Sequence, residues 1–244
     1  DLGLSPEQAE AARLQSLRKQ AEHYDENGPY TYMYAPDDLE YLAASDETAD
    51  DFIPMALQAF NAAVQRCEAS GGQLEAQRRV YWFARKLKNS WSQRGKNLKA
   101  RAVLETAHAL LTDPGYRQML TCSLADMARK GGDIAAAENL LSQCDPRPPQ
   151  IDIDTDYRTS WAMVLLERQR WQDALTVVGD RFGQIPYEPS SVFTFNSIRI
   201  EAFEQMGRTN EAEAEVGRML EASREEGFED AFAERMYSKH PIWK

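Results

Sequence analysis

The chain has 244 residues, of which 43% are apolar and 27% are charged, and its formal net charge is −11 at pH 7. A chain of this size and composition can bury a substantial core, either as one elongated domain or as two smaller compact ones. The acidic balance opposes nonspecific binding to polyanions, and the longest apolar run, residues 161–166, is far shorter than the roughly 20 residues that a membrane-spanning helix needs.

The first 72 residues are predicted to form helices and an extended arm that pack on the rest of the chain. A serine cap followed by proline predicts a helix over 5–24, which the turn sequence at 27–29 ends. Tyrosines alternate over 30–34, and we expect an extended arm there because no partner strand is evident. A short helix begins at 37–38, and apolar residues at helical intervals predict another over 52–70.

Residues 73–225 have the pattern of consecutive helical hairpins, each made of a helix, a tight turn and a second helix. Between hairpins, Asp113 and Pro114 combine a capping residue with a helix-initiating one, and the prolines from Pro146 to Pro149 cannot continue a helix. A last helix over 228–239 is expected to cap the array within the C-terminal segment 226–244. The predicted pairs are 73–94 with 97–112, 115–130 with 134–144, 156–169 with 171–182, and 191–206 with 209–225.

The turns of these hairpins carry a recurring signature, in which a turn residue, usually glycine, precedes an alanine by five positions. The signature returns every 37 or 38 residues, a period typical of stacked helical hairpins. We therefore expect one continuous array. The signature occurs at Gly95/Ala100, Gly132/Ala137, Gln169/Ala174 and Gly207/Ala212.

Three of these turns resemble the central turn of tetratricopeptide repeats, in which a glycine-containing turn precedes an alanine at a close contact between helices. The matching segments are 130–138, 169–175 and 206–213. The resemblance covers about residues 73–223. It implies an all-α fold, namely a right-handed α-α superhelical solenoid of helical hairpins, with extra N-terminal helices and a C-terminal capping helix. An irregular helical bundle is the structural alternative.

The same resemblance places a second small residue twelve positions upstream of the alanine. Ala125 and Ala162 fit this position, whereas Lys88 and Ile200 depart from it.

The strongest local signal is the segment from Gln77 to Arg101, which we call the basic segment. It contains nine basic residues and no acidic one, a charge of +9 against −20 in the rest of the chain. Four aromatic residues, Tyr81, Trp82, Phe83 and Trp91, are interleaved with these cations. Such a surface can pair with anions and stack on planar groups.

Three interpretations of the basic segment remain open. It can be an intramolecular counterweight that docks on acidic neighbours and uses its aromatics as core, a site for an acidic peptide or protein segment, or a site for nucleic acid, anionic lipid or glycan. The candidate partner-binding residues are Arg78, Trp82, Arg85, Lys88, Asn89, Trp91 and Arg94.

The resemblance also implies that the first helix of each hairpin lines an inner groove. In some members a basic residue followed four positions later by asparagine clamps a terminal carboxylate, and Arg85 and Asn89 have this spacing. The corresponding positions of the next hairpins do not match, because they hold Cys122 with Asp126 and Thr159 with Met163. A complete carboxylate clamp is therefore not predicted.

No enzymatic activity, cofactor or metal site is predicted. His23, His108 and His240 lie far from one another and from any cysteine pair. Asp152, Asp154 and Asp156 have the spacing of the start of a calcium loop. Since Tyr157 and Met163 stand where such a loop needs glycine and glutamate, we expect these aspartates to belong to a solvated linker and a helix cap.

Three widely spaced cysteines, Cys67, Cys122 and Cys144, are expected to be buried reduced thiols. A bridge between Cys122 and Cys144 is the alternative, because the two residues would lie on the two helices of one hairpin.

We expect a non-enzymatic interaction scaffold that binds a peptide or protein, with an acidic segment favoured, in the solenoid groove. The alternatives are a structural or assembly module of a membrane-anchored bacterial-type protein and an anionic-polymer binder that uses residues 77–101. Because the first residue is Asp1 rather than methionine, an upstream signal or anchor is an open expectation. A cytoplasmic location is favoured over an exported or membrane-tethered one.

Overall fold

A computed structural model of the chain describes residues 49–180 and 189–225. Over these residues the regular structure is entirely α-helical, which confirms the predicted all-α class. The predictions for 5–24, 30–34 and 228–239, and that of a short helix beginning at 37–38, lie outside the described residues. The helices are α1 (Ala49–Ala69), α2 (Leu74–Gln93), α3 (Asn97–Leu110), α4 (Pro114–Lys130), α5 (Ile134–Leu141), α6 (Ile151–Glu167), α7 (Trp171–Val178), α8 (Pro189–Gln205) and α9 (Thr209–Glu225).

Most helix boundaries lie within two or three residues of those expected, but α6 begins five residues earlier than predicted. Asp152 and Asp154 therefore lie in its first turn, so the expectation of a solvated linker was wrong for them. Acidic side chains stabilise a helix N-terminus through its dipole. One turn later, Arg158 donates to both carboxylate oxygens of Asp154 at 2.8 and 2.7 Å, which further supports helix here.

The described helices divide between two compact units, with the boundary between Leu120 and Thr121 inside α4. In the first unit α2 packs against both α1 and α3. Its buried side chains recur at helical intervals and include Val80, Phe83, Ala84, Leu87 and Trp91. This packing fixes one face of α2 toward the core and leaves the opposite face to solvent.

The second unit contains the remainder of α4 and the helices α5 to α9. A small apolar cluster joins α4, α5 and α6 through Cys122, Ala125, Ala137, Leu141 and Val164. A larger cluster is shared by α6, α7, α8 and α9, where each helix pair α6/α7 and α8/α9 packs closely.

Four hairpin turns share one backbone geometry. In each, the turn residue has a positive φ, which is 68° at Gly95, 84° at Gly132, 58° at Gln169 and 70° at Gly207. Its amide donates to a carbonyl three residues back, and the next amide donates to a carbonyl five residues back, as in a Schellman motif. The alanine that follows each turn is fully buried at Ala100, Ala137, Ala174 and Ala212.

Candidate partner-binding surface

Part of the basic segment lies on the solvent side of α2. Leu74, Arg78, Trp82 and Lys86 follow one another at intervals of four residues, which places them in one row along the helix. We call this row the α2 surface. Leu74 is 61% exposed and Trp82 is 37% exposed. The row therefore offers apolar area between two cationic side chains.

The ring of Trp82 is held in place by its neighbours. The ammonium group of Lys86 lies 5.7 Å from the centroid of the indole, within the range of a cation–π contact. Tyr81 meets Trp82 edge-on, with ring centroids 5.9 Å apart. Because these contacts already restrict the rotamers of Trp82, a ligand would lose less conformational entropy by ordering this side chain on binding.

Arg85 lies beside the α2 surface and is also oriented by an aromatic residue. Its Nη1 donates to the phenolic oxygen of Tyr81 at 3.0 Å. Tyr81 is buried and stacks on Tyr116 of α4, with ring centroids 5.1 Å apart and an interplanar angle of 21°. The guanidinium of Arg85 is thus anchored to the core of the first unit. Asn89, one turn further along α2, is half-buried, as is Lys88.

Trp91 does not share the α2 surface, contrary to the expectation that it helps to form an exposed aromatic site. Its side chain is only 6% exposed and belongs to the core, as do Tyr81 and Phe83. The reason is helical phase, because nine residues at about 100° each place Trp91 opposite Trp82 on α2. Of the four aromatic side chains of the basic segment, only that of Trp82 is exposed.

Arg94 lies just beyond the last residue of α2. Its Nη1 donates to the carbonyl of Ser90 at 2.9 Å, so its side chain folds back along the final turn of the helix. Of the seven candidate residues, Arg78 and Trp82 are exposed, Arg85, Lys88, Asn89 and Arg94 are half-buried, and Trp91 is buried.

Two cations of the basic segment pair with acidic residues on their own helices. Arg78 lies 3.7 Å from Glu75, and Arg101 lies 2.7 Å from Glu105. All four side chains are more than half exposed, so these pairs hold little free energy and can exchange for other anions. Lys96 and Lys99, at the start of α3, are exposed.

A buried glutamine at the base of α2 is a feature that the sequence analysis missed. Gln77 is 4% exposed. Its Nε2 donates to the carbonyl of Gly72 at 2.6 Å and to Oγ1 of Thr112 at 3.0 Å, and its Oε1 accepts from the amides of Thr112 and Asp113, both at 2.7 Å. Gln77 thereby ties the start of α2 to the loop between α3 and α4. The sequence does contain a signal for this role, because Gln77 is a polar residue at a position of α2 where the helical period predicts a buried apolar one.

That loop also contains the predicted cap of α4. The amide of Tyr116 donates to Oδ1 of Asp113 at 2.9 Å, which confirms the capping role of Asp113. Gln77 and Asp113 together hold Tyr116 in the position from which it stacks on Tyr81.

The described residues contain no group of three His, Cys, Asp or Glu side chains that could hold a metal ion. None of the described helices combines the length and apolar character needed to cross a bilayer. Comparison with known protein families, with curated proteins and with solved structures finds no match.

Proposed function

We propose that this chain is a non-enzymatic interaction scaffold and that the α2 surface binds an acidic segment of a protein partner. The observation that carries the proposal is the exposed indole of Trp82 between Arg78 and Lys86, on a segment that has no acidic residue from Gln77 to Arg101. Aromatic and arginine side chains contribute most to binding energy at protein interfaces. The free carboxylates of a partner would exchange with the weak Arg78–Glu75 pair.

We further propose that the hairpins form a right-handed superhelix of the tetratricopeptide type. The support is local: four turns share the same backbone geometry, and each is followed by a fully buried alanine that allows close helix contact. Within such an array α2 is the first helix of its hairpin, and the α2 surface would face the groove.

Binding is tested by fluorescence anisotropy with a short labelled peptide that alternates glutamate and leucine. The variants are Arg78→Glu combined with Lys86→Glu, and Trp82→Ala alone. We expect the charge-reversal pair to raise the Kd about tenfold or more, since each lost charge contact is worth roughly 1 kcal/mol. Trp82→Ala should weaken binding by a similar factor through loss of the apolar contact.

Arg147→Glu is the matched control, because Arg147 is an exposed arginine outside the basic segment. Its Kd should stay within about twofold of that of the unmodified protein. Equal affinities for the unmodified and the charge-reversed proteins would contradict the assignment of the α2 surface. Tight, steeply salt-dependent binding of oligothymidine without peptide binding would identify a nucleic-acid site instead.

A further inference from the structure

Two cysteine residues of the second unit, Cys122 and Cys144, pack in the same apolar cluster. Cys122 lies on α4 and is 2% exposed, whereas Cys144 follows the end of α5 and is half-buried. Both thiols are free in this structure, and the thiol of Cys144 donates to the carbonyl of Leu140 at 3.9 Å. They belong to the apolar cluster that joins α4, α5 and α6.

The two thiols are chemically unequal. The hydrogen bond from Cys122 lowers the pKa of Cys144, which favours its thiolate. The same hydrogen bond and burial raise the pKa of Cys122. Since the thiolate is the nucleophile and Cys144 is the more accessible of the two, Cys144 is the sulfur that reacts first.

We propose that Cys122 and Cys144 form a reversible disulfide that closes the α4–α5 hairpin, made by exchange with a small-molecule disulfide of the glutathione class. The thiolate of Cys144 attacks the oxidant, forms a mixed disulfide and releases one small thiolate, which takes up a proton. The sulfur of Cys122 then gives up its proton, attacks the sulfur of Cys144 and releases the second small thiol. Two protein thiols are oxidised by two electrons and one small disulfide is reduced to two thiols.

Cys122 is part of the apolar cluster that joins α4, α5 and α6, and Cys144 packs against the same cluster. A disulfide between them needs an S–S distance of about 2.05 Å and Cβ atoms about 3.5–4.5 Å apart. The bridge would enclose the turn at Gly131 and Gly132 and fix the residue from which the linker to α6 departs. Oxidation would therefore restrict the movement of α5 and of the start of α6 relative to α4.

The test uses the full chain, equilibrated in mixtures of reduced and oxidised glutathione and then quenched with an alkylating reagent. Peptide mass spectrometry should find a Cys122–Cys144 crosslink that is reversed by dithiothreitol. Oxidised protein should melt about 5–10 °C higher than reduced protein, because the crosslink restricts the unfolded chain. Cys67→Ser is the control, since Cys67 is fully buried elsewhere, and it should behave as the unmodified protein does.

Single substitutions test the order of attack. Cys122→Ser should stop the reaction at a mixed disulfide of Cys144 with glutathione. Cys144→Ser should leave Cys122 unmodified while the chain is folded, and circular dichroism and alkylation in denaturant show whether each variant is folded with its remaining thiols intact. The proposal is overturned if oxidised glutathione leaves both thiols free, stops at glutathionylation in the unmodified chain, or produces only crosslinks between molecules.

Discussion

At the scale of single residues, Gln77 shows how one side chain positions a surface that it does not belong to. Its amide satisfies backbone groups at the start of α2 and in the loop before α4. A buried amide that makes all these bonds stabilises one arrangement of the loop, because any other arrangement leaves polar groups without partners. The position of Tyr116, and through it those of Tyr81 and Arg85, depends on that loop.

We expect Gln77→Leu to lower the free energy of unfolding by about 2–4 kcal/mol, since leucine fills similar space and leaves the amides of Thr112 and Asp113 without their acceptor. Urea denaturation followed by circular dichroism measures the change. Gln93→Leu, at an exposed position on the same helix, is the control and should stay within about 0.5 kcal/mol. A loss at Gln77 no larger than at Gln93 would mean that the network does not stabilise the fold.

His108 on α3 makes stability depend on pH. Burial, followed by the positive charge of Arg117, lowers the pKa of its imidazole from the ordinary value. The unfolded chain therefore binds a proton at a higher pH than the folded chain does. Stability contributed by the neutral imidazole is complete above about pH 6.5 and is lost as the pH falls below it.

We expect His108→Gln to flatten the pH profile of stability below about pH 6.5, because glutamine cannot be protonated there. The measurement is the urea midpoint of both proteins across a series of buffers from neutral to mildly acidic pH. At higher pH the two profiles should run parallel. Profiles that also stay parallel through the acidic range would show that His108 titrates equally in the folded and unfolded chains.

At the scale of helices and turns, the most informative comparison is between equivalent turns. Gly132 and Gln169 occupy the same position of the Schellman motif with positive φ. Glycine adopts this conformation without strain, whereas glutamine adopts it at a cost of about 1 kcal/mol. A Cβ atom built on Gly132 would meet nothing within 4 Å, so the cost there is one of backbone conformation alone.

We therefore expect reciprocal substitutions to act in opposite directions. Gln169→Gly should raise the free energy of unfolding by up to about 1 kcal/mol, and Gly132→Gln should lower it by about the same amount. Urea denaturation of the two variants checks both signs in one experiment. Destabilisation by both would show that the side chain of Gln169 makes a contribution that outweighs its backbone strain.

The turns could be predicted from sequence because each depends on local chemistry, a residue that tolerates positive φ and a small residue after it. The start of α6 could not, since the Pro-rich approach after Asp145 and the acidic run beyond it are compatible with either linker or helix. The acidic first turn and the Asp154–Arg158 pair at i and i+4 are local features that favour helix. The bond from Arg158 to the carbonyl of Val177 is made with α7, and a tertiary contact of this kind leaves no local signature.

The composition of the basic segment was predictable, and so was its separation into two faces. Counting residues along α2 places Trp82 and Trp91 on opposite sides, so a helix buried on one side cannot expose both. Which side is buried depends on the packing of α2 against α1 and α3, in which Trp91 is buried and Trp82 is exposed. The helical phase of Gln77 indicates that it is buried, but its partners could not be predicted because they lie 35 and 36 positions away in sequence.

At the scale of the whole molecule, the net charge opposes the local charge of the α2 surface. The chain carries −11, so an approaching acidic peptide is repelled at long range even though the basic segment attracts it on contact. The range of both forces is set by salt, with a Debye length of about 30 Å at 0.01 M and about 8 Å at 0.15 M. Moderate salt therefore screens the distant repulsion more than it screens the contact.

We expect the association rate constant of the glutamate–leucine peptide to rise between about 0.01 and 0.1 M salt and to fall again toward 1 M, where contact attraction is also screened. Stopped-flow anisotropy measures this profile. The Arg78→Glu/Lys86→Glu variant should keep the rise and show a shallower fall, because the reversal lowers the charge of the basic segment from +9 to +5 and weakens the contact attraction. A rate constant that decreases at every step from low salt would contradict this prediction. It would mean that the basic segment attracts the peptide more strongly than the net charge repels it even at long range, because the acidic residues lie away from the path of approach.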